Sequence, residues 1–175
     1  MTKNATFLKH IIILVGPKGS GKTTLSRTLA SNLGIQYFDV EKHLIETIRA
    51  NKIDGDDLPN HGFDIEETEI RTILANESAV VFEATGSSEY FPHYYNMYAK
   101  EFSVLPIKLV CSYETCLERI SKRGLVDNFE VPVEAIRRIY DLSVRFEVDW
   151  FQVINTENQF SPDEAIKKLR CVMST

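Results

Sequence analysis

At 175 residues and a net charge of −5, from 25 acidic and 20 basic side chains, the chain is long enough for one domain with its own core. Its acidic balance counts against a broad nucleic-acid footprint, and no segment approaches the ~20 consecutive apolar residues of a membrane span. The cysteines Cys111, Cys116 and Cys171 show no metal-ligand spacing, and their odd number gives no disulfide framework, so a reducing cytoplasm is expected.

Residues 1–9 read as a frayed lead-in rather than a signal peptide, because the apolar run that follows is short and ends in glycines. That run, His10 to Val15, is apolar, β-branched and of strand length. Gly16-Pro17-Lys18-Gly19-Ser20-Gly21-Lys22-Thr23 then fits the pattern G-x-x-x-x-G-K-S/T. Leu25, Leu29 and Leu33 recur at helical spacing behind it, so the unit reads strand, glycine loop, helix, and Gly34 suits the helix end. Glycines let the backbone curl until successive N–H groups face one anion, and the helix N-terminus adds positive potential. In this pattern Lys22 reaches the β- and γ-phosphates and Thr23 holds Mg²⁺. The nucleotide-binding set is therefore Gly16 through Thr23, with Thr24 beside it.

Ile35 to Phe38 reads as a short strand closed by Asp39, and Glu41 to Ala50 as a helix with Leu44, Ile45 and Ile48 on one face. Residues 51–61 read as a polar loop. Asp64 with Glu67 forms a capping box, predicting a helix start there and burial of Ile70, Ile73 and Leu74. Ala79 to Phe82 is a buried strand ending at Glu83. Ser88 to Lys100 reads as partly helical, with Pro92 near its start, and Val104 to Cys111 as a strand. Cys116, Leu117 and Ile120 share a face of the next helix. Pro132 opens a helix expected to run to about Val148. Phe151 to Ile154 is the last strand, and Ser161 with Glu164 forms a second capping box for a helix burying Ile166, Leu169 and Met173. Strands alternating with helices predict an α/β fold with a parallel sheet covered on both faces.

In such sheets the site lies beyond the carboxyl ends of the strands. Asp39, Glu41 and Glu83 fall there. A carboxylate opposite the glycine loop can orient a phosphoryl acceptor, while Asp39 has the simpler alternative of capping the helix it precedes. Glu83 can hold a metal-bound water or be a plain helix-start acid. Arg119, Lys122 and Arg123 close a helix, where basic residues also favour the dipole. The aromatic run Tyr90, Phe91, Tyr94, Tyr95 and Tyr98 reads chiefly as a packed helix. His43, His61 and His93 show no ligand spacing.

The loop GPKGSGKT, the tract LGIQYFDVEKHLIE, the strand VVFEATG and the segment LVCSYETCLERISKRG resemble those of small P-loop kinases of the nucleoside-monophosphate kinase and shikimate kinase group, adenylate kinases included. The resemblance extends over essentially the whole chain. It implies a three-layer P-loop fold with a five-stranded parallel sheet in the order 2-3-1-4-5. It implies a single kinase domain over 1–175, an acceptor-binding region about 41–75 and a short lid about 119–131. Tyr37 to Glu41 is similar to the F-x-D-x-D stretch of shikimate kinases, which implies Asp39 as support for the metal and Glu41 as the residue facing the acceptor hydroxyl. Arginines such as Arg119 and Arg123 are implied to meet the transferring phosphate or the adenine. Lys22, Asp39, Glu41 and Arg119 are then the catalytic candidates, and Thr23, Asp39 and Glu83 the metal candidates. Arg71 is a candidate partner for an acceptor anion, or else a solvated helix-face arginine. The expected activity is transfer of the γ-phosphoryl of ATP, with Mg²⁺, to a small acceptor by a cytoplasmic monomer or weak dimer. The alternative is a nucleotide switch or assembly ATPase, against which the chain's length counts, as does the lack of a strand-end Asp-Glu pair to activate water.

Overall fold

The alternation of apolar runs and amphipathic stretches becomes β1 (His10–Val15), α1 (Lys22–Leu33), β2 (Gln36–Phe38), α2 (Val40–Asn51), α3 (Leu58–Asn76) and β3 (Ala79–Ala84). It continues through α4 (Phe91–Glu101), β4 (Ser103–Val110), α5 (Tyr113–Arg123), α6 (Val133–Arg145), β5 (Gln152–Asn155) and α7 (Asp163–Met173). The computed structural model describes residues 8–51, 58–123 and 132–174. The five strands form one parallel sheet in the order β2-β3-β1-β4-β5, the topology expected.

β1 lies at the centre and is buried at every position. Its period-2 alternation sends neighbouring side chains to opposite faces. Ile12 and Leu14 enter a core with Leu25 and Leu29 of α1 and Ala165, Ile166 and Leu169 of α7. Ile11, Ile13 and Val15 enter a second core with Ile70, Ile73 and Leu74 of α3 and Phe91 and Tyr98 of α4. Burying each of these large aliphatic side chains contributes about 1.5–3 kcal/mol. The two cores sandwich the sheet, which fixes the carboxyl ends of the strands as one exposed rim. On that rim Val15 pairs with Ala84 and Phe38 with Phe82, so the segments following β1, β2 and β3 emerge side by side.

Several boundaries differ from the sequence expectation. α3 begins at Leu58, six residues before the expected Asp64 start. Pro59 sits in its first turn, where a missing N–H costs nothing, and at Gly62 the helix lies against Leu44 of α2, whose methyl carbons would meet an added Cβ at ordinary contact distance, 3.6–3.7 Å. Asp64 therefore lies inside the helix, where it accepts a hydrogen bond from the Tyr94 hydroxyl instead of capping. Of the expected loop over 51–61, residues 52–57 lie outside the described residues and 58–61 are helical. α6 stops at Arg145 rather than Val148 because Phe146 turns to an extended conformation and packs its ring on Phe91 and Trp150. α4 begins at Phe91 after a turn in which the Ser88 hydroxyl accepts from the Tyr90 N–H (3.2 Å). At α7 the Ser161 hydroxyl accepts from the Asp163 N–H at 3.2 Å, while Glu164 pairs with Lys168 at 2.8 Å rather than closing a capping box. Among the described residues no helix is long and apolar enough to cross a membrane.

Candidate active site

The loop between β1 and α1 is shaped by positions that only glycine fits well. Gly19 has φ +83°, and a Cβ there would lie 2.5 Å from the Cys116 carbonyl oxygen, so the loop is pressed against the backbone of α5. Gly21 caps α1 in the left-handed region, φ 93° and ψ 11°. No acidic residue occupies the first turn of α1, so its positive end is left for an external anion. Lys22 is buried and curls over the loop, donating from Nζ to the carbonyls of Gly16 (2.8 Å) and Pro17 (3.0 Å). Burial lowers its pKa to about 8, opposed chiefly by the charge of Glu83. The Ser20 hydroxyl is fully buried with no hydrogen-bond partner among the described residues. A buried, desolvated cation, an orphan hydroxyl and a free helix N-terminus are the features that a bound polyphosphate would satisfy. Thr24, grouped with the loop on sequence, is exposed and forms no part of the cleft wall.

Strand alternation explains the next layer. Val80 and Phe82 point to the α3/α4 face, so Glu83 points to the α1 face, as Val81 does. There its Oε1 accepts from Thr23 Oγ1 (2.8 Å) and from the Tyr37 hydroxyl (2.8 Å). The metal candidates Thr23 and Glu83 are thus brought into direct contact. Tyr37 was not singled out on sequence, although the pleat of Tyr37-Phe38-Asp39 places its first and third members on one face. Burial, reinforced by the Glu83 charge, raises the Tyr37 pKa far above its ordinary value and keeps it a donor.

Asp39 shares that face and lies elsewhere than the cleft wall. Its Oδ1 accepts from the Lys42 N–H (3.2 Å) at the start of α2, and its Oδ2 pairs with Arg27 of α1 (3.4 Å). The capping alternative is therefore realised. Glu41, in the first turn of α2, does line the cleft and pairs with Lys18 of the loop at 3.3 Å.

Arg119 projects from α5 toward carbonyls behind the loop. It donates to Thr156 O (2.5 Å), Glu157 O (3.4 Å) and Gly19 O (3.5 Å). The Thr156 hydroxyl donates to Ser20 O (2.9 Å), so the end of β5 is tied to the glycine loop twice. Glu157 accepts from the Ser112 N–H and hydroxyl and from Thr115, contacts that hold its carboxyl down at about 2. Thr156 and Glu157 carried no sequence signal beyond their place at a strand end. The free thiols Cys111 and Cys116 lie under this brace, 3.0 Å apart and buried. Residues 124–131 of the expected lid, and the side chain of Arg123, lie outside the described residues.

These pieces open into one cleft of about 990 Å³. Lys18, Lys22, Thr23 and Glu83 form its head; Val40, Glu41 and Leu44 of α2 with Phe63 and Glu66 of α3 form one flank. Leu117 and Ile120 of α5 with Ile136 and Ile139 of α6 form the other. Phe63 stacks on Tyr94 at 4.9 Å between centroids and 17° between planes. Glu66, absent from the sequence candidates, is pushed up to about 8 by burial. Arg71 is turned away from the cleft, forked onto Glu101 at 2.8 and 2.9 Å and also paired with Glu67, so it is not available to an acceptor in the cleft. Of the aromatic run, Phe91 and Tyr98 are core residues, in keeping with a packed helix.

A strand–glycine loop–helix at the rim of a 2-3-1-4-5 sheet, with a lysine and a threonine-carboxylate pair at the head of a cleft, defines a P-loop nucleotide-binding protein of the kinase type. The chain belongs to the AAA domain family, whose pattern matches residues 12–131. It is 26% identical to a cytidylate kinase of Sulfurisphaera tokodaii over 180 residues, covering 94% of this chain and 95% of that one. It is 29% identical to a shikimate kinase of Methylococcus capsulatus over 168 residues, covering 90% and 89%. In fold it is similar to a gluconokinase of Sinorhizobium meliloti, with a TM-score of 0.61 at 16% identity over 96% of this chain and 93% of that one. The expectation of a small P-loop kinase, an ATP-dependent phosphotransferase, is borne out by these relatives across nearly the whole chain.

Proposed function

We propose that the protein transfers the γ-phosphoryl of ATP to a hydroxyl of a small acceptor seated between α2 and α3, in a reducing cytoplasm. The observation that carries this reading is the continuity of the cleft. Lys22 and Thr23 stand at its head, and Glu41 and Glu66 on the flank directly beyond. In-line transfer needs a donor and an acceptor positioned in one water-poor space.

Lys22 leaves the loop carbonyls to meet the β- and γ-phosphates. Thr23 and Glu83 would hold Mg²⁺: a hydroxyl and a carboxylate are hard oxygen ligands, and Mg²⁺ takes few protein ligands beside phosphate and water. When bound there it supplies neutralisation of the charge developing on the phosphates. Tyr37 fixes the Glu83 carboxylate. Glu41 receives the acceptor proton, and Asp39 acts as a positioning residue by fixing the first turn of α2. Arg119 is a positioning residue too, holding the Gly19 peptide.

The test is transfer of label from γ-³²P-ATP across nucleosides, nucleoside monophosphates, sugars, sugar acids and shikimate. Acceptor-dependent, Mg²⁺-dependent labelling supports the reading. ATP hydrolysis that no small molecule stimulates would favour a nucleotide switch.

A further inference from the structure

Two thiols that the phosphoryl transfer does not use lie beneath the glycine loop. Cys111 follows the end of β4, and Cys116 stands in the first turn of α5. Both are buried, with their sulfurs 3.0 Å apart. Their position ties them to the loop. Gly19 is pressed on the backbone of Cys116, where an added Cβ would lie 2.5 Å from the carbonyl oxygen and 2.9 Å from Cα. The Cys111 thiol shares the Thr156 hydroxyl, which also donates to Ser20 O at 2.9 Å. A movement in the pair is therefore passed to the loop above it.

Their chemistry is unequal. The hydrogen bond from the Cys116 thiol holds Cys111 below the ordinary thiol range; burial opposes this, and the Thr156 hydroxyl and the Arg119 charge add to it. The same bond, together with burial, pushes the Cys116 thiol up. One sulfur is prepared as a nucleophile, and the other keeps a proton for a leaving hydroxide. Cys111 is also the more accessible of the two, 7% exposed against 1% for Cys116, so a water-sized oxidant meets it first.

We propose that Cys111 and Cys116 form a modification site, a dithiol that hydrogen peroxide oxidises to a disulfide, and that the disulfide form binds nucleotide more weakly at the glycine loop. In the first step the Cys111 thiolate attacks one peroxide oxygen, the O–O bond breaks, and hydroxide leaves and becomes water with the proton that Cys111 gave up. Cys111 is now a sulfenic acid, oxidised by two electrons as the peroxide is reduced. In the second step the Cys116 sulfur attacks the Cys111 sulfur. The S–S bond forms, the S–O bond breaks, and hydroxide departs with the Cys116 proton as water. Two thiols and one peroxide give one disulfide and two waters. A thiol reductant reverses the bond by exchange, as suits a transient disulfide in a reducing compartment.

A disulfide bond is about 2.05 Å long, so closure draws the sulfurs together by about 1 Å from their 3.0 Å contact. β4 is held in the sheet between β1 and β5, so the start of α5 takes up the movement. Gly19 has no clearance from Cys116 and shifts with it, and the loop N–H groups then converge less well on one anion. This holds whatever acceptor the cleft takes.

The test is to treat the wild-type protein with hydrogen peroxide, alkylate it and digest it with trypsin. Cys111 and Cys116 fall in one peptide, Leu109 to Arg119, and Cys171 in another that begins after Arg170. The first peptide should become lighter by two hydrogens and escape alkylation. Kd for ATP with Mg²⁺, read by calorimetry, should rise about tenfold or more, as when a preorganised donor set is displaced by a fraction of an ångström, and should return with dithiothreitol. Cys111→Ala should bind ATP as the reduced wild type does and lose the response to peroxide; Cys116→Ser gives the same check if the first variant does not fold. Peroxide that leaves both thiols open to alkylation, or carries Cys111 to sulfinic acid without an S–S bond, overturns the site. A disulfide that forms with Kd unchanged overturns its coupling to the loop. A rise in Kd that persists in either variant comes from another residue and overturns the proposal as well.

Discussion

The two halves of the cleft are built in opposite ways. The nucleotide half comes from one contiguous stretch, Gly16 to Thr23, whose lysine is already hydrogen-bonded and whose backbone is pinned by α5 and the end of β5. The acceptor half is assembled from side chains on α2, α3 and the end of β3, and its wall carboxyl at Glu66 is desolvated with no hydrogen bond among the described residues. The first half is preorganised for one ligand, a polyphosphate, that every enzyme of this class shares. On the kinase reading proposed above, the second is where an individual acceptor would be chosen, and its chemistry is provided by packing between distant elements. A change in the first half should therefore abolish function, and a change in the second should redirect or tune it.

The sharpest way to break that contrast is Lys22→Ala. Removing the cation at the head of the cleft should lower kcat by about 10³-fold or more, comparable to losing a principal transition-state donor. It should also shrink the rise in melting temperature given by ATP or ADP with Mg²⁺, since a ligand that binds only the native state stabilises it by RT ln(1 + [L]/Kd). Equal thermal shifts in variant and wild type would detach the loop from nucleotide binding.

Arg119→Ala asks whether the brace behind the loop belongs to the same half. The guanidinium bonds to the Thr156, Glu157 and Gly19 carbonyls, and charged hydrogen bonds contribute about 1.5–3 kcal/mol. KM for ATP should rise roughly 10- to 100-fold with a smaller change in kcat, and the apo protein should melt earlier. A loss confined to kcat would instead put Arg119 on the transferring phosphate.

The same half should carry its own pH signature. Burial brings the Lys22 pKa down to about 8 in the free protein, and a bound polyphosphate raises it again. Binding then takes up a proton once the pH exceeds 8. ATP affinity should be flat below that value and weaken about tenfold by pH 9. Calorimetric titration from pH 7 to 9.5 measures this, and a flat profile, or one that persists in Lys22→Ala, would rule out Lys22 as its source.

How much of this was legible before the structure follows the same division. The strand, loop and first helix are contiguous, so periodicity and the glycine spacing sufficed to identify Lys22 and Thr23. Glu83 was visible as an acid at a strand end, and the sheet order came with the family resemblance. Phe63 and Glu66 were not visible, because only the packing of α3 brings them to the cleft, and Tyr37 was not, because only the pleat of β2 sets its hydroxyl on Glu83. The placement of Asp39 was not legible for a related reason: its side-chain direction follows the parity it shares with Tyr37, which turns it toward Arg27 of α1. Asp64 resembled a helix start because its local pattern is sound, yet Pro59 five residues earlier had already supplied one.

The smallest effect is the one that tests whether the acceptor half is held unsatisfied. Burial raises the Glu66 pKa from the ordinary carboxylate range to about 8, so the native state keeps a proton that the unfolded chain has released. Between these values the unfolded state binds fewer protons, and stability falls as pH rises. The contribution is fully present below about pH 4.5 and is lost as pH passes through about 8. Glu66→Gln carries no such charge and keeps the volume. The variant should therefore melt close to wild type at pH 5 and progressively above it toward pH 8.5. The gap should widen by at least about 1 kcal/mol, or roughly 2–4 °C for a chain of this size. A ligand that satisfies the carboxyl should close that gap in wild type alone, so repeating the melts with the preferred acceptor and ADP links stability to recognition. A gap that is constant with pH would mean that Glu66 is solvated in the free protein, and the acceptor wall would then be as well satisfied as the glycine loop opposite.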